Sequence, residues 1–170
     1  MEPKRILVVM STTRWSKRIG DVVLREAKAG PAEIEVLYVV EQDEIDKSIQ
    51  RASDSGFLGP RTQASLVQTL VDENKRVAER RRERVRLAVE AVGCTSTWRE
   101  VIGDYEEEVH RAIETGNYDV VVLVRSEESF LHRLFYGSED DRVATWVRSE
   151  GGGAEVLVEE GVEGGGSRSR

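Results

Sequence analysis

The sequence predicts an α/β fold, a three-layer doubly wound sandwich built on a parallel sheet. Three observations carry this expectation. Residues 5–10, 34–40 and 119–124 are β-branched and apolar runs with little polar alternation, the pattern of strands covered on both faces. Between such runs apolar residues recur at helical spacing and stop at glycines. Strand and helix alternate five times in all, and right-handed crossovers between parallel strands put helices on both sides of the sheet.

The elements follow in order. After the first strand comes the polar stretch STTRWS, then a helical face of Ile19, Val22, Val23 and Ala27 that ends at Gly30-Pro31. The second strand is IEVLYVV. Residues 41–62 show no clear period and contain SGFLGP; they are expected to be a long loop with at most one helical turn, a candidate lid or contact surface. A long helix is expected from Ala64 to Gly93, with Leu66, Leu70, Val77, Val85, Ala88 and Val92 on one face. Residues 94–102 are more polar, as suits a strand at the sheet edge. Asp104 is placed to cap the next helix, with Glu107 three residues on and Glu106 to Glu108 at the positive end of its dipole. The buried face there is Val109, Ala112 and Ile113, and Gly116 stops it. A fourth strand at 119–124, a polar loop closed by Gly137-Ser138, a helix carrying Val143, Trp146 and Val147, and a short strand at 154–158 complete the unit. Residues 1–160 read as one domain and 161–170 as a flexible Gly/Ser/Arg tail.

Composition narrows the function classes. The formal net charge of −7 argues against bulk attraction to nucleic acid or to an anionic membrane. The first apolar run is shorter than a signal-peptide core or a spanning helix, and the single cysteine, Cys94, suits a reducing compartment. A cytoplasmic protein is expected. In such sheets ligands lie beyond the carboxyl ends of the strands at the topological switch point, so the loops after the first and fourth strands are the ones to question.

The element order, the long second connection, Asp104 after Gly103 and the Gly137-Ser138 pair together make residues 4–159 resemble a universal stress protein. The resemblance implies a five-stranded parallel sheet in the order 3-2-1-4-5 and a homodimer paired through the last strand. It also implies, for many members, an ATP site with a Gly-x2-Gly-x9-Gly-Ser/Thr loop. On that pattern the candidate nucleotide contacts are Ser11, Thr12, Val39, Arg125, Ser126, Gly137 and Ser138. Ser11 falls where ATP-binding members carry an acidic residue, Thr12 where they carry glycine, and Val39 where the backbone meets adenine. Counted back from Gly137, the other loop glycines fall on Glu127 and Val124. A β-branched residue resists the positive φ a glycine supplies. A carboxylate about 4 Å from a phosphate costs roughly 4 kcal/mol at an effective dielectric near 20. Loss of the acidic residue removes a charged acceptor. No cofactor is therefore expected, with ATP as the alternative; Arg125, His132 and Arg133 with Ser126, Ser129 and Ser138 would be the groups to hold an anion. Phe130, Leu134 and Phe135 are expected to anchor the loop.

Other patterns carry less. The hydroxyls of Ser11, Thr13 and Ser16 match the phosphate loop of flavodoxins, but Arg14 stands where that loop has glycine; the alternative is a polar turn that caps the next helix. A receiver domain needs acidic residues where Met10 and Ser11 lie. The run KRVAERRRERVR is expected to be the solvated face of a helix, its arginines interleaved with Glu79 and Glu83. His110 and His132 have no partner at metal-ligand spacing, no nucleophile constellation is evident, and Cys94 is expected to be packed. The leading expectation is a non-catalytic, dimeric stress-response or signalling module with a degenerate nucleotide site and an unknown protein partner. An ATP-gated switch or slow ATPase comes second and an FMN protein third.

Overall fold

In the computed structural model, residues 2–56, 59–126 and 139–161 are described. Five strands, β1 (Lys4–Ser11), β2 (Ala32–Glu41), β3 (Ser96–Gly103), β4 (Val120–Arg125) and β5 (Glu155–Glu160), form one sheet in the order β3-β2-β1-β4-β5, and every pairing is parallel. Among the described residues the helices are α1 (Ile19–Ala27), α2 (Gln42–Asp54), α3 (Pro60–Glu90), α4 (Tyr105–Thr115) and α5 (Glu139–Glu150). Among the described residues no helix is long and apolar enough to cross a membrane.

The unbroken apolar runs are explained by the two cores. On one face Ile6, Val8, Met10, Val36, Tyr38, Val40, Val122 and Val124 pack with Ile19, Val22 and Val23 of α1, Ile45 of α2 and Ala78, Val85 and Val89 of α3. On the other, Leu7, Val9, Leu37, Val39, Val121 and Leu123 pack with Val109, Ala112 and Ile113 of α4 and Val143, Ala144 and Val147 of α5. Side chains alternate along each strand, yet both sets are covered, so nothing in β1 or β4 needs to be polar. β3 lies at the edge with an alternating half-buried pattern. It begins at Ser96; Cys94, partly buried, packs against the first core from the preceding turn.

Residues 41–62 differ from expectation. They are not a long loop: α2 occupies most of the segment, and α3 begins at Pro60 rather than Ala64. Two local signals explain the start of α3. Proline pre-sets the helical φ at a first-turn position whose N–H needs no partner, and extended Gly59 precedes it. α2 is mostly polar and meets the core through Ile45, with Ile49 partly buried beside it, a contact too sparse to show as a period. On α3 the fully buried residues are Ala78, Val85 and Val89. Leu70 packs at the margin, while Leu87 is exposed.

α4 starts as expected. The Asp104 carboxylate accepts the Glu107 backbone N–H at 2.9 Å, and Gly116 ends the helix with its N–H on the Ala112 carbonyl. Asp104→Ala is expected to cost about 1 kcal/mol, measured as a lower urea midpoint with an unchanged slope.

Candidate functional site

The crossovers from β1 and β4 leave toward opposite faces of the sheet, which makes their carboxyl ends the switch point. Ser11 and Glu41 are the last residues of β1 and β2. Residues 11–14 close on themselves: the Ser11 N–H donates to the Arg14 carbonyl at 3.0 Å, and the Arg14 N–H donates to Ser11 Oγ at 3.1 Å. This turn carries the Arg14 side chain back over the strand ends.

Glu41 stands at the N-cap position of α2, but its carboxylate makes no cap bond. It reaches toward β1 instead. One oxygen accepts the Ser11 hydroxyl, the Thr13 hydroxyl at 2.7 Å and the Thr13 N–H at 3.2 Å. The other pairs with Arg14 Nη1 at 2.9 Å. Arg14 Nη2 meets Glu139 at 2.5 Å, and the guanidinium lies 3.7 Å from the centroid of the Tyr105 ring. Arg14 is 2% and Glu41 4% exposed, so the ion pair is a buried one. Burial pushes the Glu139 carboxyl above its ordinary pKa, against the downward pull of Arg14.

Arg81 of α3 closes the site from the other face. Its Nη1 donates to the carbonyls of Ser11 at 2.8 Å and Thr12 at 3.1 Å and to the Tyr38 hydroxyl at 2.7 Å. Burial raises the Tyr38 phenol pKa above its usual value, although the neighbouring Arg81 acts to lower it. The run of residues 75–86 is therefore not uniformly a solvated face: Arg80, Arg82 and Arg84 are exposed, while Arg81 turns inward.

Of the sequence candidates, Ser11, Thr12 and Val39 come together. The Thr12 N–H donates to the Val39 carbonyl at 3.1 Å, and the Thr12 hydroxyl accepts the Glu41 N–H at 3.3 Å. Ser126 is buried just past the end of β4. Arg125 pairs with Asp141 at 2.7 Å, so part of the charge expected to meet an anion is already met by a carboxylate. Val124 lies within β4, in register with Glu159, and the strand continues through the point where the family loop would place its first glycine. Gly137 and Ser138 lie outside the described residues, as do Glu127, Ser129, Phe130, His132, Arg133, Leu134 and Phe135.

In the STTRWS turn, the Ser11 and Thr13 hydroxyls are engaged by Glu41, and Ser16 Oγ accepts the Arg18 N–H at 3.2 Å. Ser16 thus braces the turn before α1, while Thr13 does not cap that helix.

These features define a doubly wound α/β module that carries a buried Arg14–Glu41 ion pair at the carboxyl ends of β1 and β2. The sequence matches the universal stress protein family over residues 2–147, and the chain belongs to that family. No curated protein matches it. Among solved structures it is similar to the hypothetical protein MJ0577, with a TM-score of 0.60 and 18% identity over 96% of this chain and 100% of that one. The universal stress protein UspA of Lactobacillus plantarum gives a TM-score of 0.58 and 15% identity over 94% and 99% of the two chains. A universal stress protein in complex with cAMP gives 0.51 and 13% over 95% and 100%. At these identities the likeness is one of fold.

Proposed function

We propose that this chain is a non-catalytic stress-response or signalling module, working as a homodimer through β5, whose nucleotide site has been replaced by an internal ion-pair plug. The observation that supports it most is Arg14, buried between Glu41, Glu139 and Tyr105. Glu139 is the first residue of α5, and the start of a helix is where an incoming anion would be favoured. A carboxylate of the chain already stands there with its own counter-cation. Glu41 likewise returns the carboxylate that Ser11 lacks, but commits it to Arg14 and to two hydroxyls. A nucleotide would have to displace these contacts and strand a buried charge. The same engagement of Ser11 and Thr13 weighs against a flavin phosphate.

With its crevice filled, the module would act through protein contact. The exposed side of α2, which carries Asp43, Asp46, Lys47, Gln50 and Arg51, is the surface assigned to a partner. The β5 edge, unpaired on one side of the sheet order, is assigned to the second copy.

The test is calorimetry with ATP and with cAMP, alongside sedimentation of the same protein and mass spectrometry of anything released on denaturation. The expected result is a dimer with no nucleotide released, and no ATP or cAMP binding that Arg14→Ala alters. Saturable ATP binding that Arg14→Ala strengthens would instead establish the second reading, a nucleotide-gated switch in which the plug opens.

A further inference from the structure

We propose a second site, on the α3 side of the sheet, for a small ligand bearing a phosphate or polyphosphate group. Trp15, Val77, Arg80, Arg81 and Arg84 line an open cleft of about 500 Å³, within the usual range for small-molecule sites of about 300–1,000 Å³. It is built from the STTRWS turn and one face of α3, apart from the plug of Arg14 and Glu41.

The charges of α3 sort by face. Arg82 pairs with Glu79 at 3.7 Å, and Arg86 pairs with Glu83 at 2.6 Å and Glu90 at 2.6 Å. The carboxylates interleaved with the arginines are thus drawn to Arg82 and Arg86, which do not line the cleft. Among the described residues the carboxylate paired with a cleft arginine is Glu73, outside the lining, 3.7 Å from Arg80 and 3.7 Å from Arg76. Among the described residues Arg84 has no carboxylate partner. Arg81 is held by its three acceptors at the ends of β1 and β2, and its guanidinium lies 5.1 Å from the centroid of the Trp15 ring. Three arginines line one cleft, and the guanidinium of one of them, Arg81, is already fixed in place.

That arrangement suits a phosphate better than a lone carboxylate, because planar guanidinium groups offer paired N–H donors to several oxygens at once. A net charge of −7 opposes the approach of a long polyanion, so a small ligand fits and a nucleic acid does not. Trp15 and Val77 supply an apolar wall for whatever organic group carries the phosphate.

The test uses the full chain at low ionic strength, with inorganic tripolyphosphate and ATP as separate probes. Binding is followed by calorimetry and by the indole N–H resonances in a proton–nitrogen spectrum, with Trp15 assigned through Trp15→Phe. Saturable binding of tripolyphosphate, movement of the Trp15 indole, and an affinity reduced at least tenfold in R80Q/R84Q are expected. Both residues are exposed, so the double variant keeps its fold, checked by its melt. Tighter binding of ATP than of tripolyphosphate identifies a nucleotide as the source of the phosphate, and the reverse a simple polyphosphate. Absence of saturable tripolyphosphate binding overturns the proposal, including the case in which only an acidic peptide binds. Unchanged affinity in R80Q/R84Q does so too, and if Arg14→Ala alters that affinity the ligand lies at the plug, which counts against the function proposed above instead.

Discussion

Glu41→Ala is expected to destabilise the fold by about 3–5 kcal/mol, the usual cost of removing one partner of a buried ion pair. The reason lies less in the lost attraction than in what remains. Without Glu41 the Arg14 guanidinium, 2% exposed, loses a buried carboxylate 2.9 Å away, and the Ser11 and Thr13 hydroxyls lose their acceptor. At roughly 2–4 °C per kcal/mol for a chain of this size, the melting temperature falls by about 6–20 °C. Glu41→Gln retains an acceptor and is expected to fall between. A double variant, Arg14→Met with Glu41→Leu, should recover much of the loss, because replacing both members of a buried pair by apolar groups removes the stranded charge. Denaturant unfolding of the three variants at pH 7 measures this. A loss below 1 kcal/mol for Glu41→Ala would mean that water reaches the plug, and the argument that a nucleotide is kept out would fall with it.

The plug also shows where single-sequence reasoning runs out. The sheet was legible because both its faces are covered: the runs in β1, β2 and β4 admit few alternatives to buried parallel strands, and the family resemblance then implied the order found. The Asp104 cap was legible because donor and acceptor are three residues apart. β1 ends at Ser11 with Thr12 next, as its apolar run implies. That Glu41 brings a carboxylate to the same place is not legible in the sequence. Glu41 and Arg14 belong to different connections, and each looks like an ordinary polar residue after a strand. Only the parallel register, with Ser11 opposite Val39, brings Glu41 to the end of β1. Arg81 was hidden among arginines that differ from it by nothing but the face of the helix they occupy. Two of its three acceptors are backbone carbonyls, which carry no mark in a sequence, and the third is the Tyr38 hydroxyl of a distant strand.

The segment from 41 to 62 is helical against its sequence pattern for a different reason, and it supplies the second large effect. Ile45→Ala is expected to cost about 2–4 kcal/mol, in the range for emptying a buried isoleucine site, and Ile45→Asp more, since an unpaired carboxylate would be forced into the core. A helix usually announces itself by several apolar residues on one stripe. α2 has Ile45, at 3% exposed, with Ile49 one turn on; its contacts with the body fall mainly on α3 and β3. Exposed local pairs, Lys47 with Asp43 at 2.9 Å and with Glu44 at 2.8 Å, add only a few tenths of a kcal/mol each, and in the sequence they show only as charge. Had the segment been a surface loop, Ile45→Asp would change stability by no more than about 0.5 kcal/mol, so urea unfolding separates the two cases cleanly. The outcome bears on function as well. Deleting residues 41–62 would remove Glu41 and Ile45 together, taking the plug and part of the core with the contact surface. Partner capture has to be tested instead by charge reversal at Asp46 and Arg51, which are exposed on α2 and leave both Ile45 and the Glu41–Arg14 pair in place.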